Sequence, residues 1–239
     1  MKNILNKIDI HLFTYIFLFL ALLTGLIKEL LIFLFILIIH ELGHIIAAII
    51  LKWKIEKVKI MPFGIITIFN EYINRPMIEE FIILIMGPLF QLINLIIFKD
   101  IAPYFRYYNY GLFIFNMLPI YPLDGYKLFN IILNKFIPFK KALRISLTIS
   151  ILCLTIFIRK DLIYLVILLL LLKGIIKEYK NIDFTYNKFL LERYNHTFKF
   201  KKRRIIKNIN KMYKDFLHLI MEDDKLITEK EYLQKRFGK

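Results

Sequence analysis

Long apolar runs alternate with short polar segments over the first three quarters of the chain. Six runs could cross a membrane as helices, which need roughly 17–25 residues, and two of the six are short. They are His11–Ile27, Leu30–Leu51, Phe81–Phe98, Tyr107–Ile120, Ala142–Ile158 and Leu162–Ile176. The pattern predicts an α-helical polytopic membrane protein with about six transmembrane helices.

The segment between the second and third runs has a different pattern. Polar and apolar residues alternate before Pro62, and β-branched residues follow Gly64, with a turn between them that includes Phe63. These features predict a β-hairpin that dips into the cytosolic interface of the membrane. The alternative is an interfacial loop that has no role in substrate binding.

The chain becomes polar and basic after residue 176. Lys, Asn and Asp dominate as far as the apolar run Phe216–Met221, which is followed by an acidic turn, Leu226–Thr228 and a polar, helix-like end. We therefore predict a transmembrane domain over residues 1–176 and a basic cytosolic tail over residues 177–239. The end of the tail is predicted to be a small α/β unit of strand, turn, strand and helix.

Composition supports the membrane assignment and changes how the charge is interpreted. The chain is 58% hydrophobic with a net charge of +16, and its mean hydropathy is +0.57. Of the 35 basic residues, 18 follow Leu172. Attraction of this tail to anionic lipid headgroups explains the charge, and no fold signature points to nucleic acid as a partner.

The basic residues between the runs determine the predicted orientation. The N-terminus and the second and fourth loops carry twelve Lys and Arg residues, whereas the other three loops carry five. Because positively charged loops stay in the cytosol, both termini are predicted to be cytosolic. An even number of six spans agrees with that placement.

The second apolar run contains a His-Glu-Leu-Gly-His pentad, from His40 to His44. Ionisable groups in a membrane segment are costly and mark functional sites. On a helix, residues i and i+4 share a face, so His40 and His44 can bind one tetrahedral Zn²⁺ per chain while Glu41 stands beside it. Glu41 is then the candidate general base.

Two histidines and a water leave a tetrahedral zinc one protein ligand short. Asp124 is favoured because it follows the fourth run on the predicted cytosolic side, after helix-breaking prolines that suit a water-filled site. Three glutamates after the pentad are the alternatives. They are Glu71, Glu79 and Glu80.

The pentad and the later Leu123-Asp124-Gly125 resemble the two motifs of the site-2 proteases, the intramembrane zinc metalloproteases. The spacing of Asn116, Pro119 and Pro122 before Asp124, and the sequence Met61–Gly64, are similar to the branch that processes a sigma-factor precursor in endospore formers. The resemblance covers about residues 36–126. It differs at Gly87-Pro88, which is followed by Gln91 and Asn94 where many members have Asn at the first of these two positions.

The resemblance implies a zinc metalloendopeptidase that cleaves a membrane-associated protein near the cytosolic face, with sporulation as its context. It also implies that the hairpin holds substrate by strand addition, which makes Pro62, Phe63 and Gly64 candidate substrate-binding residues. Asn116 is a candidate for contact with substrate or the metal shell, or for an interhelical hydrogen bond.

The tail resembles half of a cystathionine-beta-synthase-type module, which the same branch uses to sense nucleotides. A half module would need a second chain to complete a nucleotide site, and a docking tail fits the sequence equally well. The partners expected from the sequence are thus lipid, a protein substrate, membrane-protein inhibitors, a nucleotide and a second copy of the chain.

Two other classes of function are alternatives to a protease. A six-span zinc transporter or sensor would bind zinc through His40 and His44 without hydrolysis. A catalytically silent scaffold would need none of these polar groups in lipid, so the intact His40, Glu41, His44 and Asp124 argue against it.

Overall fold

The computed structural model describes residues 8–10, 12–61, 64–98, 100–101, 104–156, 162–222 and 225–238. The chain forms two compact units. One comprises Met1–Glu71 and Phe81–Asn116, and the other comprises Tyr72–Glu80 and Met117–Lys239. The units are defined by packing, so the predicted boundary between membrane domain and tail at residue 176 stays a prediction.

The first unit contains two helices that match the membrane-crossing pattern. They are α2, Ile27–Ile50, and α3, Met77–Phe98, whose first four residues belong to the second unit. Among the described residues these two helices are long and apolar enough to cross a membrane. At 1.5 Å per residue, α2 is about 36 Å long, more than the hydrocarbon thickness of about 30 Å.

The other two helices of this unit are shorter than the apolar runs that predicted them. Helix α1 spans Leu12–Leu23 and helix α4 spans Phe105–Asn116, with 12 residues each. The sequence-based run extended to Ile120, but the helix ends before Pro119. Proline lacks an N–H and disfavours the helical conformation of the residue before it, which explains the earlier end.

The predicted hairpin is present and belongs to a three-stranded sheet. Strands β2, Ile55–Met61, and β3, Gly64–Phe69, pair antiparallel, and β1, Ile8–Ile10, pairs parallel with β2. The order is β1-β2-β3, so β3 is an edge strand within the described part of the sheet. Pro62 and Phe63 lie outside the described residues.

Small residues let α2 and α3 approach closely. A Cβ added to Gly43 would lie 2.3 Å from the carbonyl oxygen of Met86. One turn further along α2, Ala47 and Ala48 are buried against Ile83 of α3. Glycine and alanine at a helix interface are typical of membrane proteins, where close packing replaces the hydrophobic driving force. This contact brings α3 beside the pentad.

In its described residues the second unit contains five α-helices and a second sheet. The helices are α5, Asp124–Phe136, α6, Phe139–Ile156, α7, Leu162–Lys180, α8, Ile182–Asn195, and α9, Glu229–Phe237. The strands are β4, Lys202–Ile206, β5, Phe216–Glu222, and β6, Lys225–Thr228, in the order β4-β5-β6. Strands β5 and β6 with helix α9 form the predicted strand, turn, strand and helix.

A buried arginine joins the tail to the segment before α3 within the second unit. Arg193 of α8 donates to the side-chain oxygen of Asn74 at 2.6 Å and forms an ion pair with Glu229 at 3.0 Å. Asn74 donates in turn to the carboxylate of Glu192 at 3.0 Å. Breaking a buried ion pair leaves an uncompensated charge, so this network fixes how α8 and α9 pack.

Candidate metal centre

Two buried histidines on α2 place their ring nitrogens side by side. His40 and His44 are 4% and 6% exposed, and their Nε2 atoms are 3.1 Å apart. The other ring nitrogen of each is engaged by α3. Nδ1 of His40 lies 3.0 Å from Oε1 of Gln91, and Nδ1 of His44 lies 2.8 Å from the carbonyl oxygen of Ile83.

These contacts determine which nitrogen of each ring carries the proton. A carbonyl oxygen only accepts hydrogen bonds, so Nδ1 of His44 must donate, and His40 is assigned the same tautomer beside the oxygen of Gln91. The two Nε2 lone pairs then face each other and repel unless a cation lies between them. Two nitrogens bound to a tetrahedral zinc at 2.0–2.1 Å are about 3.3 Å apart, close to the observed spacing, so the pair fits zinc.

A glycine on α3 provides the space that the second histidine occupies. A Cβ added to Gly87 would lie 2.3 Å from Nε2 and 2.4 Å from Cε1 of His44. Real Cβ atoms do not approach other atoms so closely, and therefore only glycine lets this imidazole take its observed position.

The glutamate of the pentad interacts with the sheet. Glu41 is 8% exposed, and its Oε1 accepts a hydrogen bond of 3.0 Å from the backbone N–H of Thr67 on β3. A carboxylate accepting one backbone N–H keeps further lone pairs for a water molecule. Glu41 is thus held beside His40 in the helix without being needed as a ligand.

In the second unit, Asp124 is the first residue of α5. It is 8% exposed and accepts from Nζ of Lys127 at 3.0 Å. A Cβ on Gly125 would lie 2.2 Å from the carbonyl oxygen of Met117, so the chain before α5 passes directly over this glycine. That close approach explains why glycine follows Asp124 in the motif.

The loop before Asp124 is fixed by a serine of α6. Ser150 Oγ donates to the carbonyl oxygen of Pro119 at 2.9 Å and accepts from the backbone N–H of Tyr121 at 3.2 Å. Two backbone polar groups of this non-helical segment are therefore satisfied by protein, as a membrane protein requires.

The glutamates that compete for the third ligand position all have partners within their own units. Glu71 accepts from the backbone N–H of Lys54 at 2.7 Å, and Glu79 pairs with Arg75. Glu80 pairs with Lys214, which is buried. These interactions give each glutamate a structural role.

The two remaining predicted site residues lie at the ends of elements in the first unit. Gly64 begins β3 opposite Met61, and Asn116 is the last residue of α4. Sequence reasoning missed the contacts of α3 with the histidines. In the sequence Gln91 stands out only as a difference from the resembling family, yet an amide within an apolar run was a signal for a hydrogen-bonding role, and the structure buries it fully.

Replacing Gln91 by leucine is expected to lower zinc affinity about 10- to 100-fold, because the partner that orients His40 is lost. The amide of Gln91 is itself fixed by donating to the carbonyl oxygen of Asn109 at 2.9 Å. Zinc affinity would be measured by competition with a chelator on the purified protein.

Asn94, on the same helix, is the matched control. Its side chain is 2% exposed and makes no hydrogen bond within the described residues. Asn94→Leu removes a buried amide of similar size without removing a hydrogen bond to a histidine, so zinc affinity should be unchanged. Equal losses in both variants would mean that Gln91 contributes only packing.

Comparisons with known proteins place the chain in a family. Residues 28–105 match the model of peptidase family M50. Stage IV sporulation protein FB of Bacillus subtilis (strain 168) is 35% identical over 210 residues, which cover 80% of this chain and 73% of that protein. The site-2 protease from Methanocaldococcus jannaschii has the same fold, with a TM-score of 0.51 at 22% identity over 82% of this chain and 93% of that one.

Fold and histidine pair together define an intramembrane zinc metalloprotease, an integral membrane protein that acts on a protein substrate. The chain belongs to peptidase family M50, the site-2 proteases.

Proposed function

We propose that His40, His44 and Asp124 bind one zinc ion and that Glu41 is the general base of peptide hydrolysis. The observation that carries this proposal is the pair of Nε2 atoms 3.1 Å apart on rings whose Nδ1 atoms have partners on α3. Asp124 as the third ligand is supported by its burial, and by the separate partners that engage the three competing glutamates.

Bound zinc lowers the pKa of a water molecule toward about 7 and polarises the scissile carbonyl. The carboxylate of Glu41 accepts a proton from the attacking water and delivers it to the amide nitrogen of the leaving peptide. Gln91 and the carbonyl of Ile83 keep both imidazoles in the tautomer that presents Nε2. Neither a serine nor a cysteine nucleophile is needed.

The substrate proposed is a membrane-associated sigma-factor precursor, cleaved near the cytosolic face during sporulation. This proposal is supported by the similarity to a sporulation protein at 35% identity. Hydrolysis needs an extended peptide, and the edge strand β3, which starts at Gly64, offers main-chain groups to which such a peptide can pair. Asn116 at the end of α4 is proposed to contact substrate or the metal shell.

The membrane topology is proposed to have six spans with both termini in the cytosol. Helices α2 and α3 meet the length and hydropathy requirement, and α1, α4, α6 and α7 coincide with the other four apolar runs. Tags at each terminus, tested for access in sealed vesicles, would determine the orientation.

The zinc ligands can be tested by comparing Asp124→Ala with Glu71→Ala. Asp124→Ala is expected to reduce zinc from one per chain to well below stoichiometric, because a tetrahedral site loses one of three protein ligands. Glu71→Ala should keep its zinc, since that carboxylate bonds the backbone at Lys54. Metal content of the purified proteins is the measurement.

The same variants should be co-expressed with a tagged sigma-factor precursor. Wild type and Glu71→Ala are expected to release the shortened product, and Asp124→Ala is expected to leave the precursor intact. Full zinc content and normal cleavage in Asp124→Ala would contradict the proposed ligand set.

We propose a second, regulatory role for the tail, the binding of a nucleotide. The second unit has a cavity of about 330 Å³, within the size range of ligand pockets. Basic and aromatic side chains that suit phosphate and a base line it, including Arg193, His196, Phe198, Phe200, Arg203 and Lys230. Titration of the purified protein with ATP tests this role.

Two exposed cations at this cavity, Arg203 and Lys230, suit an anionic ligand, because the negative charge nearby is already paired. Burial lowers the pKa of His218, although Glu229 acts in the opposite direction, so the imidazole is neutral near pH 7. Burial raises the pKa of Glu229, but the hydrogen bond from His218 and the charge of Arg193 outweigh burial and lower it overall. The carboxylate is already paired with Arg193, whereas Arg203 and Lys230 are exposed at the cavity.

A further inference from the structure

The proposed catalytic base accepts its hydrogen bond from the edge of the sheet that no strand of the described residues covers. In an antiparallel ladder a residue directs both its N–H and its C=O either toward its partner strand or away from it. Thr67 lies opposite Val58 of β2, and its N–H donates to Glu41. Both backbone groups of Thr67 therefore point away from β2, toward the open edge.

A peptide that pairs with this edge needs the same donor. Strand addition uses alternate residues of the edge strand, and Ile65 and Thr67 are two such residues in the regular register of β3. The N–H of Thr67 has one hydrogen to donate, and Glu41 accepts it at 3.0 Å. A substrate carbonyl can bind there only if the carboxylate of Glu41 releases it.

We propose that the backbone N–H of Thr67 holds Glu41 in the resting protein and passes to the substrate when a peptide pairs with β3. Pairing then releases the carboxylate of Glu41 from β3, so that it is free to turn toward the attacking water once an extended substrate is in place. The inference rests on the proposed roles of Glu41 as base and of β3 as the substrate strand. No covalent step is added to the reaction.

Such an exchange would protect proteins that are not substrates from hydrolysis. Because Glu41 is held by the strand that binds substrate, its release depends on strand pairing and not on the sequence of the substrate. Strand addition makes few demands on sequence, so this coupling selects for an extended backbone. A substrate that remains helical cannot accept a hydrogen bond from the N–H of Thr67, so Glu41 keeps that hydrogen bond.

Two inactive variants of Glu41 test the exchange without cleavage. In Glu41→Gln the side-chain oxygen still accepts from Thr67, whereas in Glu41→Ala the N–H of Thr67 is released. Hydrogen exchange at the Thr67 amide of the purified full-length protein without substrate should be faster in Glu41→Ala by about 10-fold or more, and close to wild type in Glu41→Gln. Equal exchange in the two variants would overturn the proposal.

Affinity for an uncleaved substrate gives the second readout. With the tagged sigma-factor precursor as probe, Glu41→Ala should bind about 3- to 10-fold more tightly than Glu41→Gln, the value of one neutral hydrogen bond. Equal affinities would contradict competition for Thr67. If neither variant binds the precursor, the proposed substrate is wrong, and the exchange rates of the Thr67 amide still decide whether Glu41 is held.

Replacing Thr67 by proline tests the shared N–H donor directly. An edge strand tolerates proline where the N–H points outward, so Thr67→Pro removes the shared donor and leaves the bonds to β2. In this background Glu41→Ala and Glu41→Gln should bind the precursor equally, and a remaining difference would overturn the proposal. Thr67→Val, which keeps the N–H and removes a hydroxyl that has no partner within the described residues, should retain the full difference between the Glu41 variants.

Discussion

Glu41→Gln is expected to slow peptide hydrolysis by about 10²–10⁴-fold while the protein keeps one zinc per chain, because the amide cannot accept the proton of the attacking water. The change preserves size and burial, and the amide oxygen can still accept the hydrogen bond from Thr67. The measurement is the initial rate of precursor cleavage by purified protein, with zinc determined on the same sample.

This variant also separates the protease from a zinc transporter or sensor. A transporter would keep its zinc handling in Glu41→Gln, and zinc flux into vesicles would match wild type. A protease loses cleavage and shows no flux in either form. Cleavage within about threefold of wild type would show that Glu41 is not the base, since a loss that small is well below what general-base catalysis contributes.

Gly87→Ala is expected to remove most of the bound zinc and, with it, at least about 100-fold of the activity. The added methyl would lie 2.3 Å from Nε2 of His44, so the imidazole must leave its position. His44 is held by the carbonyl of Ile83 on the same helix, and moving the ring breaks that hydrogen bond as well. Loss of a supporting contact alone already costs 10- to 100-fold in metal affinity.

Gly111→Ala is the matched control for this substitution. Gly111 lies within α4, and a Cβ there would meet no atom of the described residues within 4 Å. Alanine in place of glycine in a helix stabilises by up to about 1 kcal/mol, so zinc content and activity should be unchanged or slightly improved. Stoichiometric zinc in Gly87→Ala, measured by metal analysis and compared with Gly111→Ala, would show that His44 is not held as described.

The order of elements could be predicted in large part from the sequence, and their ends could not. The hairpin followed from alternation around Pro62 and Gly64, and the strand, turn, strand and helix of the tail followed from Phe216 onward. Strand β1 was missed because its three residues, Ile8–Ile10, precede an apolar run and carry no alternation of their own long enough to recognise. The end of α4 at Asn116 depended on Pro119, which the hydropathy pattern ignores.

The pentad shows what a sequence alone determines and what it leaves undetermined. Spacing of i and i+4 on a helix is sufficient to place two imidazoles on one face, so the histidine pair and the adjacent carboxylate follow from local geometry. The motif also contains a glycine whose small size permits the close approach of α3.

By itself, therefore, the sequence determined the class of protein, the candidate ligands and the candidate base, because helical periodicity and membrane hydropathy are local properties. Only the tertiary structure decided that Gln91 and the carbonyl of Ile83 orient the histidines, that Gly87 makes room for His44, and that Thr67 holds Glu41. Each of these contacts joins residues 26 to 51 positions apart. Hydrogen-bond partners at such separations depend on how helices and strands pack, and packing is not encoded in any local pattern.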